Sequence, residues 1–155
     1  MTNPADDSAL ARHITRSRVP LFEVDLGQGV YHGNYFHLLE SAREDFLRHI
    51  GHPYRRFMDR QMHLAVAEAS CTYRKSLHYD DEIEIHTSIP WRRSRSLAFS
   101  QIIYRLSPDG AEICTRAELK MVCVKFSGQA TVVPPEFFEL VDKWAAGARR
   151  RPSAQ

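Results

Sequence analysis

The chain lacks the residues that would staple it covalently. Its 155 residues include only three cysteines, Cys71, Cys114 and Cys123. They form no CxxC pair, and an odd count without a regular framework points to a reducing compartment rather than a disulfide scaffold. No apolar run approaches the ~18 residues that a membrane-crossing helix requires. An excess of one charge is lacking too. The formal net charge of +2 is too small to imply nucleic acid as a partner. The N-terminus, MTNPADDSALARH, carries early acids and no apolar stretch, so a signal peptide is not expected. His49, His52, His63, His78 and His86 show no ligand spacing such as HExxH, so no metal is predicted. These absences leave a soluble, cytoplasmic protein with no expected cofactor.

What is present is ordinary globular composition, 43% hydrophobic and 26% charged. A chain of this length can bury a core without staples. One domain is expected over residues 14–145, between a flexible N-terminus (1–13) and a basic flexible tail (146–155). The stretch ITRSRVPLFEVD (14–25) is β-compatible, with Pro20 marking an edge position or bulge. From Asn34 to Ile50 the apolar residues Tyr35, Phe36, Leu38, Leu39, Ala42, Phe46, Leu47 and Ile50 recur in steps of three and four. That is the helical period. Gly51 suits the position after the helix, and Pro53 prevents its continuation. PYRRFMD (53–59) adds a short helical turn. Strands follow over 63–76, 81–92, 96–107 and 111–126. In the third of these Leu97, Phe99, Gln101 and Ile103 alternate against Ala98, Ser100, Ile102 and Tyr104. SPDG (107–110) is a turn signal. A C-terminal helix starts at PPEFF, with proline at its mouth. A long apolar-faced helix needs a sheet to lie on, and strands joined by a short turn favour antiparallel pairing. The expected architecture is α+β, an antiparallel five-stranded sheet wrapped around one long central helix.

Between the first strand and the long helix lies DLGQGVYHGNY (25–35), one carboxylate among glycines at the mouth of a helix. This pattern resembles that of the hotdog-fold acyl-CoA thioesterases, the 4-hydroxybenzoyl-CoA thioesterase family and its bacterial acyl-CoA thioesterase relatives. The pattern there is roughly D-x-G-G-x-V-Y-H-x-N-Y. Here Asp25, the triplet Val30-Tyr31-His32 and the pair Asn34-Tyr35 fall in register. Gln28 stands where the second glycine would, with Gly29 after it. Leu21 occupies the position where members of the bacterial subgroup often carry a tyrosine. The resemblance spans roughly residues 14–140, with YDDEIEIHTSI and the following RRSRS also similar.

The resemblance implies hydrolysis of an acyl-CoA thioester to a carboxylic acid and free coenzyme A. Such chemistry needs an activated nucleophile and donors for the carbonyl oxygen as it becomes negative. The first N–H groups of a helix lack intrahelical partners and carry partial positive charge. His32 and Gly33 fall where those groups should be, so an N–H there is expected to polarise the carbonyl. Asp25 is expected to act as general base for water or as a nucleophile forming an anhydride. Taken alone, an aspartate before a glycine-rich turn reads as an Asx-turn or helix cap. The whole pattern in register favours catalysis. The His32 side chain either assists proton transfer or is a partly buried histidine bonded to backbone. Tyr31 is expected at the substrate, whereas Asn34 and Tyr35 serve helix entry and packing.

Glu40 and Glu44 share a helix face one turn apart, and some hotdog enzymes use a helical carboxylate. A salt-bridge role is the preferred reading here. In PWRRSRS (90–96), Arg92, Arg93 and Arg95, helped by Ser94, are suited to phosphate. In related enzymes this segment lies near the nucleotide end of coenzyme A. The bland alternative is a charged connection that keeps strand edges soluble. The resemblance further implies a homodimer or homotetramer with a site between protomers. Two rival functions remain: hydration or dehydration of an acyl thioester, which needs a histidine–carboxylate pair not evident in the sequence, and non-catalytic acyl-thioester binding.

Overall fold

The computed structural model describes residues 10–149. The element order is β1 (His13–Arg18), α1 (Tyr35–His49), α2 (Arg55–Asp59), β2 (Met62–Tyr73), β3 (Glu82–Ser88), β4 (Ser96–Ser107), β5 (Gly110–Lys125) and α3 (Pro135–Arg149). The strands form one sheet in the order β1-β3-β4-β5-β2, every pair antiparallel. The chain leaves one edge after β1, crosses the sheet as α1, and returns at the far edge as β2. Strands β3, β4 and β5 then fill the middle as a meander.

The period-two pattern sets which face meets the helix. Ile83, Ile85 and Thr87 of β3, Leu97, Phe99, Gln101 and Ile103 of β4, and Ala117, Leu119, Met121 and Cys123 of β5 are all buried. Against them α1 buries Leu38, Leu39, Ala42, Phe46 and Leu47. Thr87 and Gln101 are the polar members of this face, and every polar atom of the Gln101 amide is used. Its Oε1 accepts from Arg43 Nη1 at 2.9 Å. Its Nε2 donates to the Leu39 carbonyl at 2.9 Å and to Thr87 Oγ1 at 3.1 Å. Buried polar groups left unpaired are costly, so this cluster fixes α1 on the sheet as well as tolerating the amide.

Helix α1 ends in a Schellman motif. The Gly51 N–H donates to the Arg48 carbonyl and the His52 N–H to the Leu47 carbonyl, with Gly51 at φ +83°. The expected first strand is cut short. Residues 14–25 read as β, but β1 stops at Arg18 and Leu21–Glu23 form a 3-10 turn. Pro20 has no N–H for a ladder, and its carbonyl instead accepts from the Glu23 N–H at 3.2 Å. The strand expected to reach residue 76 ends at Tyr73, and the one expected to reach 92 ends at Ser88. His13, within the expected N-terminal segment, opens β1, and α3 runs past residue 145 to Arg149. The remainder of both expected flexible ends lies outside the described residues. Among the described residues no helix is long and apolar enough to cross a membrane.

Candidate active site

Asp25 opens a small hairpin. Val24 bridges Val30, the Asp25 N–H donates to the Gly29 carbonyl at 3.1 Å, and the Gln28 N–H returns to the Asp25 carbonyl at 3.0 Å. The Asp25 carboxylate closes an Asx-turn, with Oδ1 accepting from the Gly27 N–H at 2.7 Å. A Cβ at Gly27 would stand 3.0 Å from that oxygen, a tight contact that the carboxylate would have to yield to by a few tenths of an ångström. A loop of this kind ends in a left-handed residue, usually glycine. Gln28 takes that conformation, at φ +68°, so it supplies the shape for which the family pattern uses a glycine.

The same segment is stitched to the helix mouth. The Glu23 carbonyl accepts from the Tyr31 N–H at 3.0 Å and from Asn34 Nδ2 at 3.2 Å. Asp25 therefore lies on a short piece of chain paired against the one that runs into α1. His32–Asn34 form a 3-10 turn ahead of that helix. Among the described residues the N–H groups of His32 and Gly33 have no hydrogen-bond acceptor. The His32 carbonyl accepts from the Tyr73 hydroxyl at 2.7 Å. Tyr73 meets Tyr35 edge to face, ring centroids 4.9 Å apart, and the Tyr35 hydroxyl accepts from the Leu77 N–H at 3.0 Å. Here a cavity of about 210 Å³ is lined by Val30, His32, Tyr35, Tyr73, Arg74, Lys75 and Ser76. The exposed Tyr31 ring lies 4.2 Å from the His32 ring, tilted by 43°.

The arginine-rich connection lies elsewhere. Ser96 pairs with Val122 and Tyr73 with Thr115. The seven-residue offset along β5 corresponds to roughly 24 Å at the rise of a strand. Within one protomer, Arg92, Arg93, Ser94 and Arg95 thus sit at the sheet end opposite the helix mouth. Arg92 is engaged by α3: Nη2 donates to Asp142 Oδ2 at 2.9 Å, and the guanidinium lies over the Phe138 ring. Arg93 lies over Trp91. The Ser94 carbonyl accepts from the Val133 N–H. All four residues are exposed.

Comparison with known proteins places this geometry. A family model described as the thioesterase-like superfamily matches residues 19–141. The chain belongs to that superfamily. A putative esterase of Aquifex aeolicus is 32% identical over 128 residues, covering 83% of this chain and 96% of that protein. An acyl-CoA thioesterase of Haemophilus influenzae is 24% identical over 120 residues, covering 77% and 85%. The solved structure of 4-hydroxybenzoyl-CoA thioesterase from Pseudomonas sp. strain CBS-3 superposes with a TM-score of 0.76 at 23% identity, covering 84% of this chain and 99% of that one. The fold is therefore the hotdog fold of the thioesterases.

Glu40 and Glu44 are the ion-pairing residues that the sequence reading preferred, Glu40 standing 4.0 Å from Arg43 and Glu44 3.4 Å from Arg48. Three side chains near the helix mouth were missed. Tyr73 is one. The others are Glu23 and His37, whose Oε2 and Nδ1 lie 3.0 Å apart. Glu23 is only 3% exposed, and the pair lines a second cavity of about 490 Å³ between α1 and the 20–23 segment. Fourteen residues separate the two in sequence, so no motif joins them. The one available signal was an acid in an otherwise apolar stretch, PLFEV.

Proposed function

We propose that the chain hydrolyses an acyl-coenzyme A thioester, with Asp25 driving attack on the carbonyl and the unpaired N–H groups of the His32–Gly33 helix mouth receiving the developing oxyanion. The observation that carries this reading is the pairing of the Asp25 segment against a helix mouth with unsatisfied N–H groups and an adjoining cavity. Donors of this kind act only as negative charge develops, which is what lowers a barrier. The acyl-CoA thioesterase of Haemophilus influenzae supports the substrate class. Asp25 retains an oxygen, Oδ2, beyond the one seated on Gly27, and serves as general base for water or as nucleophile. His32 and Tyr31 flank the acyl group at the mouth.

The thiol-bearing half of the substrate calls for a second chain. Among the described residues β2 is an edge strand of the sheet, and such edges recruit a partner strand. A two-fold dimer pairing β2 with itself would run the strands antiparallel. The start of one β2, beside the arginine-rich turn, would then approach the end of the other, beside the helix mouth. Arg93, Ser94 and Arg95, with Arg92 behind them, would face phosphates of a coenzyme A bound at the opposite protomer's Asp25.

Thiol release across a panel of acyl-CoAs tests the reading. Asp25→Asn should reduce kcat by about a hundredfold to ten-thousandfold, the range for a positioned base, while circular dichroism is unchanged. A near-native rate would remove Asp25 from the mechanism. One observation favours a second reading, hydration of an unsaturated acyl thioester: the Glu23–His37 pair. Product analysis separates the two readings, since hydration releases no thiol and would be lost in His37→Gln.

A further inference from the structure

Glu23 is a carboxylate held away from water. It is only 3% exposed, yet it belongs to the short Leu21–Glu23 turn, whose other side chains, Leu21 and Phe22, stand out in solvent. Among the described residues one donor reaches it. That donor is His37 Nδ1, 3.0 Å from Oε2 and 3.3 Å from Oε1. Arg16, which lines the same cavity, is held by Glu84 at 2.7 Å. A buried carboxylate with a single partner depends on that partner, because a charge left unpaired away from water is costly.

The position of Glu23 in the chain gives this pair a lever on the site. Asp25 follows two residues later. The Val24–Val30 bridge and the bonds from the Asp25 N–H to the Gly29 carbonyl and from the Tyr31 N–H to the Glu23 carbonyl hold the hairpin together. They are internal to it and leave it free to pivot where Tyr31 runs into the helix mouth. Two side-chain bonds cross that joint, and both end on Glu23. Asn34 Nδ2, just before α1, donates to its carbonyl, and His37, in the first turn of α1, holds its carboxylate.

We propose that Glu23 and His37 are positioning residues for thioester hydrolysis: their hydrogen bond clamps the Asp25 hairpin to the first turn of α1 and so sets the distance from the Asp25 carboxylate to the unpaired N–H groups of the helix mouth. This rests on the hydrolysis proposed above and adds what keeps its two halves in register. Neither side chain touches the substrate. The demand on the clamp is severe, since a misplacement of about 1 Å costs a reaction about a hundredfold in rate. Without His37, the carboxylate reaches water most readily when the surface turn that carries it swings outward, and Asp25 moves with that turn. Without Glu23's carboxylate, the hairpin keeps only the Asn34 bond across the joint.

The test separates a clamp from a pair that is merely packed. Acetyl-, hexanoyl-, benzoyl- and crotonyl-CoA serve as substrates. His37→Ala and Glu23→Ala should each lower kcat about tenfold to a hundredfold, with KM within about twofold because the substrate contacts are untouched. The double variant should be no slower than His37→Ala, as for two residues that act through one bond. Glu23→Gln, whose amide oxygen still accepts from Nδ1, should keep kcat within about threefold of native. The second measurement reads the hairpin itself. Hydrogen exchange at the Asp25 and Tyr31 amides should quicken about tenfold or more in both alanine variants, with the amides of β4 unchanged, as for a local opening. If His37→Ala does not fold, Glu23→Ala carries the same readouts without leaving a buried charge. A native kcat in either alanine variant, or unchanged exchange in both, overturns the clamp and leaves the hydrolysis standing. Hydration of crotonyl-CoA that both alanine variants abolish would make the pair catalytic and overturn the clamp as well. No hydrolysis of any of the four thioesters by the native protein overturns both proposals.

Discussion

At the scale of single residues, the hairpin that carries Asp25 is shaped by a side chain where glycine would be easier. Gln28 at φ +68° bears a left-handed conformation that costs a non-glycine residue about 1–2 kcal/mol. Glycine there would remove that strain but lose more freedom on folding, about 0.5–1 kcal/mol. Gln28→Gly should therefore raise stability by up to about 1 kcal/mol, a rise of about 2–4 °C in Tm for a chain of this size. Thermal denaturation checks it, and a lower Tm would mean that the Gln28 side chain contributes something the backbone argument omits. Asp25 gives a complementary lesson. The reading of it as an Asx-turn and the reading of it as a catalyst do not compete, because one oxygen closes the turn and the other is left over.

Among elements, α1 was the most legible. Its apolar steps of three and four gave a helix that differs from the folded one by a residue at each end, and Gly51 marked its Schellman stop. The β4 alternation likewise identified the face that meets the helix. What did not show was the point at which strands end. The 14–25 stretch reads as one strand until Pro20 withdraws its N–H, and the exit of β2 at Tyr73 depends on a contact with a helix mouth 41 residues earlier in the chain. The junction of α1 with α3 has a further property. His52 is fully buried against Phe57 and Phe137, neither ring nitrogen has a hydrogen-bond partner among the described residues, and Glu136 lies 3.9 Å away. Burial lowers its pKa from the usual 6.5, with Arg56 and Arg60 adding to the effect against Glu136. Below pH 6.5 the unfolded chain therefore takes up a proton that the folded chain refuses, so stability should fall as pH drops from 6.5 toward the folded pKa. Calorimetry at pH 7 and 5.5 should show that loss in the native protein and a smaller one in His52→Leu. Equal losses would exonerate the imidazole.

The whole molecule is an incomplete sheet. One edge is β1, and the other is a twelve-residue β2 with Val66 and Tyr73 exposed. Sedimentation velocity is expected to give a dimer or tetramer. Val66→Asp should shift it toward monomer, with kcat falling in step if the site spans two chains. A native protein that sediments as a monomer at assay concentration would rule out the shared site. The sequence carried the fold and the Asp25 pattern because both are local: a period along one helix and a motif of eleven residues. It could not carry Glu23 with His37, or Tyr73 with His32, since those meetings exist only after the sheet has closed.

Three of the six tyrosines, Tyr35, Tyr54 and Tyr73, each engage a main-chain group through the hydroxyl, and for all three desolvation raises the pKa above 10. These phenols hold their protons to higher pH in the folded chain than in the unfolded one. In strong base, an ultraviolet titration should therefore release part of the phenolate absorbance at higher pH in the folded protein than in the chain unfolded by denaturant.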